Sequence, residues 1–373
     1  MRSVSKGDPI NILLITLLYP VPANEARGVF VHEHAQLLAQ LGHEVKVINP
    51  LPRMPRYAEA RRSTLTGVSR APSKENIGGI EVYRPRFFAL PEHPYPRLTR
   101  WSVQRKAKRT RTFLGEWKPD VILCHTLWPV GHLAKALATH YAIPWASIVH
   151  GYDVDVGLEK KETASEIRSL LMASSVVIGV TQRLTQQIES VVGPLNRALT
   201  IPCHTEIGND WRREMKPWKG RWQRDSLDVL FPADPRRSEK NYVMALRVGE
   251  ELEQRGWKVG MTTLQHVPKD MALDRMLVAD VTLITSIREA APLVARESLL
   301  CGTPVVSVDV GEVRKYLPED WIRTPTPPDL ADGIECALRH GWQHAHSPAE
   351  LMHFCSEEVV KQSWSELLST LEV

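Results

Sequence analysis

One stretch of this 373-residue chain decides its fold, and it reads Ser286-Ile287-Arg288-Glu289-Ala290-Ala291-Pro292-Leu293-Val294-Ala295-Arg296-Glu297. The apolar run before it predicts a buried strand that ends near Thr285, and Pro292 suits the first turn of a helix. Free backbone N–H groups at such a helix start, including those of Ala291 and Leu293, can bind an anion such as a diphosphate. The stretch therefore predicts a strand, a ligand-binding loop and a helix.

The two glutamates in this stretch lie at different positions and can contact different parts of a ligand. Glu289 lies in the loop at the carboxyl end of the predicted strand, where a carboxylate can accept hydrogen bonds from sugar hydroxyls. Glu297 lies more than one turn into the helix and can reach a ribose diol. Taken alone, two glutamates at this spacing are also an ordinary feature of a protein surface.

The rest of the chain repeats the alternation of short apolar strands and helices. Strands are predicted near residues 10–18, 45–48, 121–124, 145–149, 176–180, 227–231, 281–284 and 305–308, and helices over 29–41, 242–254, 293–300 and 349–371. Such strands are typical of parallel sheets covered on both faces. We expect an α/β fold of two Rossmann-like, doubly wound domains facing a central cleft, with ligands at the carboxyl ends of the strands.

The chain is long enough for two hydrophobic cores. The predicted boundaries are a first domain over 1–201, a linker over 202–226, a second domain over 227–346 and a C-terminal helix over 347–373 that can return to the first domain. Residues 50–96 are rich in Pro and Arg and predict an insertion with a hairpin near 80–88.

Charge and composition narrow the classes of partner. Residues 1–180 hold 24 Lys and Arg against 15 Asp and Glu, although the whole chain has a net charge of only +4. The first half therefore suits an anionic partner, whereas the absence of a recognition motif disfavours nucleic acid. The apolar runs are too short to span a membrane. Five scattered cysteines without metal-site spacing predict reduced thiols, no metal site and a cytoplasmic location.

The glutamate stretch and the segment after it carry a family signature. Glu289, Pro292 and Glu297 are followed by Gly302-Thr303-Pro304-Val305-Val306. In these residues the chain resembles the family-4 retaining glycosyltransferases of the GT-B fold. The resemblance implies that Glu289 contacts the donor sugar, that Glu297 binds the nucleotide ribose, and that the second domain binds the nucleotide sugar. One departure is Ala290, where the family usually has Gly.

Three segments of the first domain, which the resemblance makes the acceptor side, also resemble this family. Gly28 opens a loop and helix, His125 ends a strand, and His150-Gly151-Tyr152-Asp153 follows the next strand. The resemblance implies that His150 lies beside the reacting sugar. Asp153 is expected either to bind the acceptor or to hold the loop in its conformation. His125 is expected either to take part in the cleft or to have a structural role. Gly28 either lets the backbone approach a diphosphate or is a plain loop glycine.

The family also implies a cationic pair for the diphosphate. Lys240 fits the Lys of this pair, but Pro235 stands where the Arg is expected, so the Arg is displaced to Arg236 or Arg237. Either guanidinium could make bidentate phosphate contacts, with Arg237 slightly preferred; the alternative is a solvated charged turn. The turn at 202–206 lacks the family's glycine, which predicts a linker of different shape.

Residues 97–113 combine seven Lys or Arg with Leu98, Trp101, Val103 and Phe113. A basic helix with an apolar stripe could bind an anionic membrane surface. The alternative is a solvated helix whose apolar side packs on its own domain.

The expected activity is retaining transfer of a hexose-type sugar from a UDP- or GDP-linked donor to a glycan or lipid-linked acceptor, in cell-envelope polysaccharide or glycolipid assembly. No cofactor and no metal are expected, and the protein would be cytoplasmic or peripheral on the inner face of the membrane. One alternative is a non-catalytic GT-B-like protein that binds a nucleotide sugar or a protein partner, which Ala290 and the displaced Arg support. Another is a nucleotide-sugar epimerase of the same fold.

Overall fold

The computed structural model describes residues 9–61, 63–89, 95–193, 195, 197–214 and 225–371. They divide into two compact units: the first runs up to Cys203 and resumes at Glu357, and the second runs from His204 to Ser356. Residues 204–214, predicted as linker, belong to the second unit, because Ile207 and Trp211 pack against its core. The rest of the predicted linker, 215–224, lies outside the described residues.

The strands are β1 Asn11–Thr16, β2 Glu44–Ile48, β3 Leu51–Pro52, β4 Lys74–Ile77, β5 Ile80–Tyr83, β6 Arg86–Phe87, β7 Val121–His125, β8 Trp145–Val149, β9 Val176–Gly179, β10 Ala198–Thr200, β11 Ser226–Phe231, β12 Lys258–Thr263, β13 Val281–Ile284, β14 Val305–Val308 and β15 Ile322–Arg323. The α-helices are α1 Val29–Gln40, α2 Pro96–Gln104, α3 Lys106–Leu114, α4 Leu127–Tyr141, α5 Lys161–Ala173, α6 Gln182–Val192, α7 Tyr242–Gln254, α8 Lys269–Val278, α9 Leu293–Leu300, α10 Pro327–His340, α11 Pro348–Leu351 and α12 Glu357–Thr370.

The first unit is built on an eight-stranded sheet in the order β10-β9-β8-β7-β1-β2-β5-β4. All neighbouring strands are parallel except the β4–β5 hairpin. Every residue of β7 and β8 is buried, so both faces of the sheet are covered. The strand order reverses at β1, and the loops after β7 and β8 therefore lie near a topological switch point.

The second unit has a five-stranded, fully parallel sheet in the order β12-β11-β13-β14-β15. Its order reverses at β11, which lies between β12 and β13. In a sheet of this kind the ligand crevice opens at the carboxyl ends of the strands beside the reversal. The loops after β11 and β13 are therefore where this unit is expected to bind a ligand.

The expected fold class is confirmed: both units are Rossmann-like α/β domains. Three local predictions were wrong. The terminal helix is two helices, α11 and α12, separated by a 3-10 turn. The hairpin lies between β4 and β5, because Gly78 and Gly79 both have positive φ and form its tight turn. The basic segment 97–113 forms two helices, α2 and α3, that meet at Arg105.

Candidate active site

The loops after β11 and β13 bring Lys240 and Glu289 together. The Lys240 ammonium Nζ forms an ion pair with Glu289 Oε1, and the hydroxyl of Ser286 donates a hydrogen bond of 2.9 Å to the same oxygen. Their side chains are 12% and 16% exposed, respectively. Because β11 and β13 are parallel neighbours, a cation and a carboxylate distant in sequence meet at the switch point of the second sheet.

Backbone contacts hold these two loops against each other. The hydroxyl of Thr285 donates to the carbonyl oxygens of Lys240 at 3.0 Å and Asn241 at 2.9 Å. The amide of Ile287 donates to the carbonyl oxygen of Glu239 at 2.9 Å. The ion pair therefore rests on a preorganised loop pair, which is the arrangement that electrostatic stabilisation requires.

The loop before α9 tolerates alanine at position 290. Ala290 is not among the residues with positive φ, so its backbone does not require glycine. The glycine that this loop needs is Gly311, whose φ is 60° and where an added Cβ would lie 2.5 Å from the carbonyl oxygen of Ala290. The helix α9 begins at Leu293, and Pro292, predicted in the first turn, is instead its N-cap residue, with Ala291 just before it.

The two candidate arginines are both engaged with carboxylates. Arg236 donates to the buried Asp234 through Nε at 3.2 Å and Nη2 at 2.9 Å, and Nη2 also lies 2.7 Å from Nε2 of His266. Burial opposes ionisation of Asp234, but the hydrogen bonds from Arg236 outweigh it and lower the pKa of the carboxyl group. Arg237 instead pairs with the half-buried Glu239, at 2.7 Å.

Glu297 has a cationic neighbour that the sequence did not indicate. The Lys269 ammonium lies 3.4 Å from Glu297 Oε1 and donates to the carbonyl oxygen of Glu206 at 3.2 Å. Lys269 is the first residue of α8, and no motif marks it. The carboxylate of Glu297 is therefore charge-balanced and only slightly exposed.

In the first unit, the loops after β7 and β8 bring His125 and His150 together. His125 Nδ1 lies 3.0 Å from His150 Nε2, and His125 Nε2 lies 2.9 Å from Nδ1 of His34, a residue of α1 that sequence reasoning missed. Burial lowers the pKa of His150 to about 4 and that of His125 well below its usual value. Both imidazoles are therefore neutral at pH 7.

Asp153 has the geometry of a residue that holds a loop. Its carboxylate is buried and accepts hydrogen bonds from the backbone N–H groups of Leu127 at 2.9 Å and His150 at 3.1 Å. Burial raises the pKa of Asp153 to about 6, although these backbone hydrogen bonds oppose the rise. The carboxylate joins the loops after β7 and β8, which favours the structural alternative over acceptor binding.

The backbone conformation and close packing at residue 28 require glycine. Its φ is 64°, and an added Cβ would lie 2.5 Å from the carbonyl carbon of Leu18 and 2.7 Å from the nitrogen of Tyr19. The adjacent Arg27 is buried and donates to the carbonyl oxygens of Leu17 and Tyr19. The close approach at Gly28 is therefore to the loop after β1, and this contact alone accounts for the glycine.

Two family models match most of the chain. Glycosyltransferase Family 4 matches residues 28–206, and Glycosyl transferases group 1 matches residues 245–350. The putative teichuronic acid biosynthesis glycosyltransferase TuaC of Bacillus subtilis (strain 168) is 27% identical over 330 residues, which is 82% of each chain.

Solved structures share the fold at low sequence identity. Sucrose-phosphate synthase from Thermosynechococcus elongatus is similar with a TM-score of 0.68 and 18% identity, over 96% of this chain and 98% of that one. Anabaena HepE in complex with UDP-glucose is similar with a TM-score of 0.63 and 14% identity, over 97% and 100% of the two chains. The chain belongs to the group 1 glycosyltransferases, and its two Rossmann-like units are the domains of the GT-B fold.

Proposed function

We propose that this glycosyltransferase moves a hexose-type sugar from a UDP- or GDP-linked donor to a glycan or lipid-linked acceptor, with retention of the anomeric configuration. The observation that carries the proposal is the Lys240–Glu289 ion pair at the switch point of the second sheet. It offers a carboxylate to sugar hydroxyls and an ammonium to a diphosphate within one loop pair. The structural neighbour HepE was solved with UDP-glucose, and TuaC is named for teichuronic acid biosynthesis; these names support a nucleotide-sugar donor and polysaccharide assembly.

Different residues of the second unit bind different parts of the donor. Glu289 accepts hydrogen bonds from the hexose hydroxyls, and Glu297 accepts them from the ribose diol. Lys240 stabilises the negative charge that develops on the leaving diphosphate. Arg237, half-exposed and three residues before Lys240, adds a second cation, and the N–H groups of Ala291 and Leu293 complete the diphosphate site. Arg236 acts mainly through Asp234, because its guanidinium is committed to that buried carboxylate.

In the first unit, His150 supplies a neutral imidazole to the reacting sugar. A ring that stays neutral at pH 7 offers one hydrogen-bond donor or one acceptor without adding charge. His125 supports it through their shared hydrogen bond. Asp153 fixes the backbone of the loop that carries His150.

Retention follows when attack and departure occur on the same face of the sugar. The bond from the anomeric carbon to the diphosphate oxygen breaks, the bond to the acceptor oxygen forms, and the acceptor proton passes to the departing diphosphate. Lys240 and Arg237 supply the positive charge that a divalent cation supplies elsewhere, so no metal is needed. Transfer activity is therefore expected to survive dialysis against EDTA; loss of activity restored by Mg²⁺ or Mn²⁺ would contradict this part of the proposal.

The basic segment 97–113 is proposed to bind an anionic membrane surface. Leu98 and Trp101 on α2 are 40% and 54% exposed, and the guanidinium of Arg105 lies 4.6 Å from the centre of the Trp101 ring. Exposed apolar side chains among cations suit an interface with anionic lipid. Only part of the predicted stripe takes this role, because Val103 is buried and Phe113 stacks on Tyr83 at 4.8 Å. Within the described residues, no helix combines the length and apolar character that crossing a bilayer needs.

A thermal-shift panel of UDP- and GDP-sugars tests the proposal, run on the wild type, Glu297→Ala and the control Glu253→Ala. Glu253 is an exposed glutamate of α7, so its removal takes away a similar charge from another surface of the same unit. A donor at a hundredfold excess over its dissociation constant stabilises the folded protein by about 2.7 kcal/mol. One donor should raise the melting temperature of the wild type and Glu253→Ala but not of Glu297→Ala.

The same donor is then offered to glycan and lipid-linked acceptors. Transfer with retained configuration supports the proposal. Binding of the donor without transfer to any acceptor, and without donor hydrolysis, favours the non-catalytic alternative. The structure supports that alternative in one respect, because Arg236 and Arg237 are both paired with carboxylates. No shift with any nucleotide sugar contradicts the donor site itself.

A further inference from the structure

Three histidines of the first unit form a continuous hydrogen-bonded row. His34 on α1, His125 at the end of β7 and His150 after β8 come from three separate elements. The distance from His34 Nδ1 to His125 Nε2 is 2.9 Å, and that from His125 Nδ1 to His150 Nε2 is 3.0 Å. Both ring nitrogens of the central histidine are therefore used within the row.

Aromatic rings enclose this histidine row. Phe30 lies against His150 with ring centres 4.9 Å apart, and Trp364 of α12 lies 4.3 Å from the ring of His34. His34 and His125 are 6% and 3% exposed. Bulk water is thus kept from the rings of His34 and His125, so their hydrogen bonds are not readily exchanged for bonds to solvent.

The row couples the tautomers of its three rings. When all three are neutral, each ring carries one N–H, and each of the two hydrogen bonds needs one proton. Only two patterns satisfy both bonds. In one, His125 donates to His34 and accepts from His150, which leaves Nδ1 of His150 a bare acceptor; in the other, both bonds run the opposite way and His150 Nδ1 carries the proton. The proton positions on His34 and His150 are therefore linked through His125, so that neither ring can change its tautomer without the other.

We infer that His34 is a positioning residue for the transfer reaction, which acts through His125 to hold His150 in a single tautomer. The inference rests on the proposed role of His150 beside the reacting sugar. A hydrogen bond to one ring nitrogen determines the state of the other, and an imidazole in the wrong tautomer cannot make its contact with the substrate. Trp364 packs on His34, which gives the C-terminal helix a part in the same arrangement.

The test measures the ring ¹⁵N chemical shifts of His150 in the full chain labelled with ¹⁵N-histidine, assigned by their loss in His150→Gln. In the wild type, one nitrogen should have the shift of a protonated nitrogen and the other that of a bare one. In His34→Phe, which keeps a ring but no nitrogen, both should move towards the values of exchanging tautomers. His34→Gln should restore the wild-type values, because an amide can donate to His125 or accept from it. His32→Phe, two residues earlier on α1, should leave them unchanged.

Kinetics give the second measurement. With the donor found above, His34→Phe should lower kcat about tenfold or more, as expected for a misoriented imidazole, with the donor KM changed less than twofold and the activity recovered in His34→Gln. The inference is overturned if wild-type His150 already averages between tautomers, or if His34→Phe leaves its shifts unchanged. Should the wild type turn over no donor, the proposed function fails, whereas the shifts still decide the role of His34.

Discussion

Lys240 and Glu289, 49 residues apart in the chain, form an ion pair across the carboxyl ends of two neighbouring parallel strands. Neither residue lies in regular α-helix or strand; each belongs to a loop that hydrogen bonds from Thr285 and Ile287 hold in place. The two opposite charges thus lie together at the place where a sugar diphosphate is expected to enter. In the proposed function, a bound donor shares the pair, with its hydroxyls on the carboxylate and its phosphates on the ammonium.

Glu289→Gln should reduce transfer strongly without unfolding the protein. The amide keeps the shape of the side chain and can still accept from Ser286, but it loses the ion pair with Lys240 and the charge that binds sugar hydroxyls. We expect kcat to fall about a hundredfold, the loss typical of a contact made to a charged transition state. Steady-state kinetics with donor and acceptor, beside the control Glu253→Gln, measure it. Equal kcat values in the two variants would remove Glu289 from the catalytic site.

Gly311→Ala should displace the loop that carries Glu289. The new Cβ would lie 2.5 Å from the carbonyl oxygen of Ala290, and the positive φ adds strain of its own. The matched control is Gly256→Ala, where φ is also positive but no atom lies within 4 Å of the added Cβ. Chemical denaturation should show a loss of about 3 kcal/mol for Gly311→Ala against about 1 kcal/mol for the control. Equal losses would mean that the contact with Ala290 adjusts at no cost.

The desolvation of the half-buried His150 ring predicts a pH-dependent stability. Its pKa is about 4 in the folded protein, against an ordinary value of 6.5, so between these values the unfolded chain binds a proton that the folded protein does not. The wild type therefore loses stability through this group as the pH falls from 6.5 towards 4, and loses nothing through it at pH 7.

His150→Gln removes this loss. Between pH 7 and pH 4.5, the unfolding free energy of the variant relative to the wild type should change by about 2 kcal/mol in favour of the variant. Urea titrations at the two pH values measure the difference. A difference between variant and wild type that is the same at both pH values would mean that His150 titrates normally in the folded protein.

The sequence predicted the strands that are buried on both faces and missed an exposed edge strand. β8, β13 and β14 have the predicted bounds, since a fully buried strand is a short uninterrupted apolar run. β12 was missed because it is an edge strand whose side chains are alternately exposed and half-buried. The break at Arg105 between α2 and α3 was missed because neither Gly nor Pro marks it.

Some site residues could be predicted from the sequence and others could not. Glu289 and Lys240 stand in a recognisable motif, and their meeting follows from two parallel strands being neighbours. His34 and Lys269 stand in none: each is one polar residue on a helix, and its contact with His125 or Glu297 depends on how that helix packs on the sheet. Periodicity tells which face of a helix is buried, but it does not tell which polar group lies opposite that face.

The exposed side chains of α2 give the last prediction, which concerns lipid. The double variant Leu98→Ser/Trp101→Ser removes the two exposed apolar side chains while every Lys and Arg of 97–113 remains. Binding to vesicles that contain anionic lipid should weaken about tenfold or more, because two apolar side chains no longer enter the interface. The control Met271→Ser/Val278→Ser removes two exposed apolar residues from α8 and should leave binding unchanged. Cosedimentation measures both, with zwitterionic vesicles showing no binding by any form. Equal binding by the two variants, or none by the wild type, would mean that the basic segment serves only the surface of its own domain.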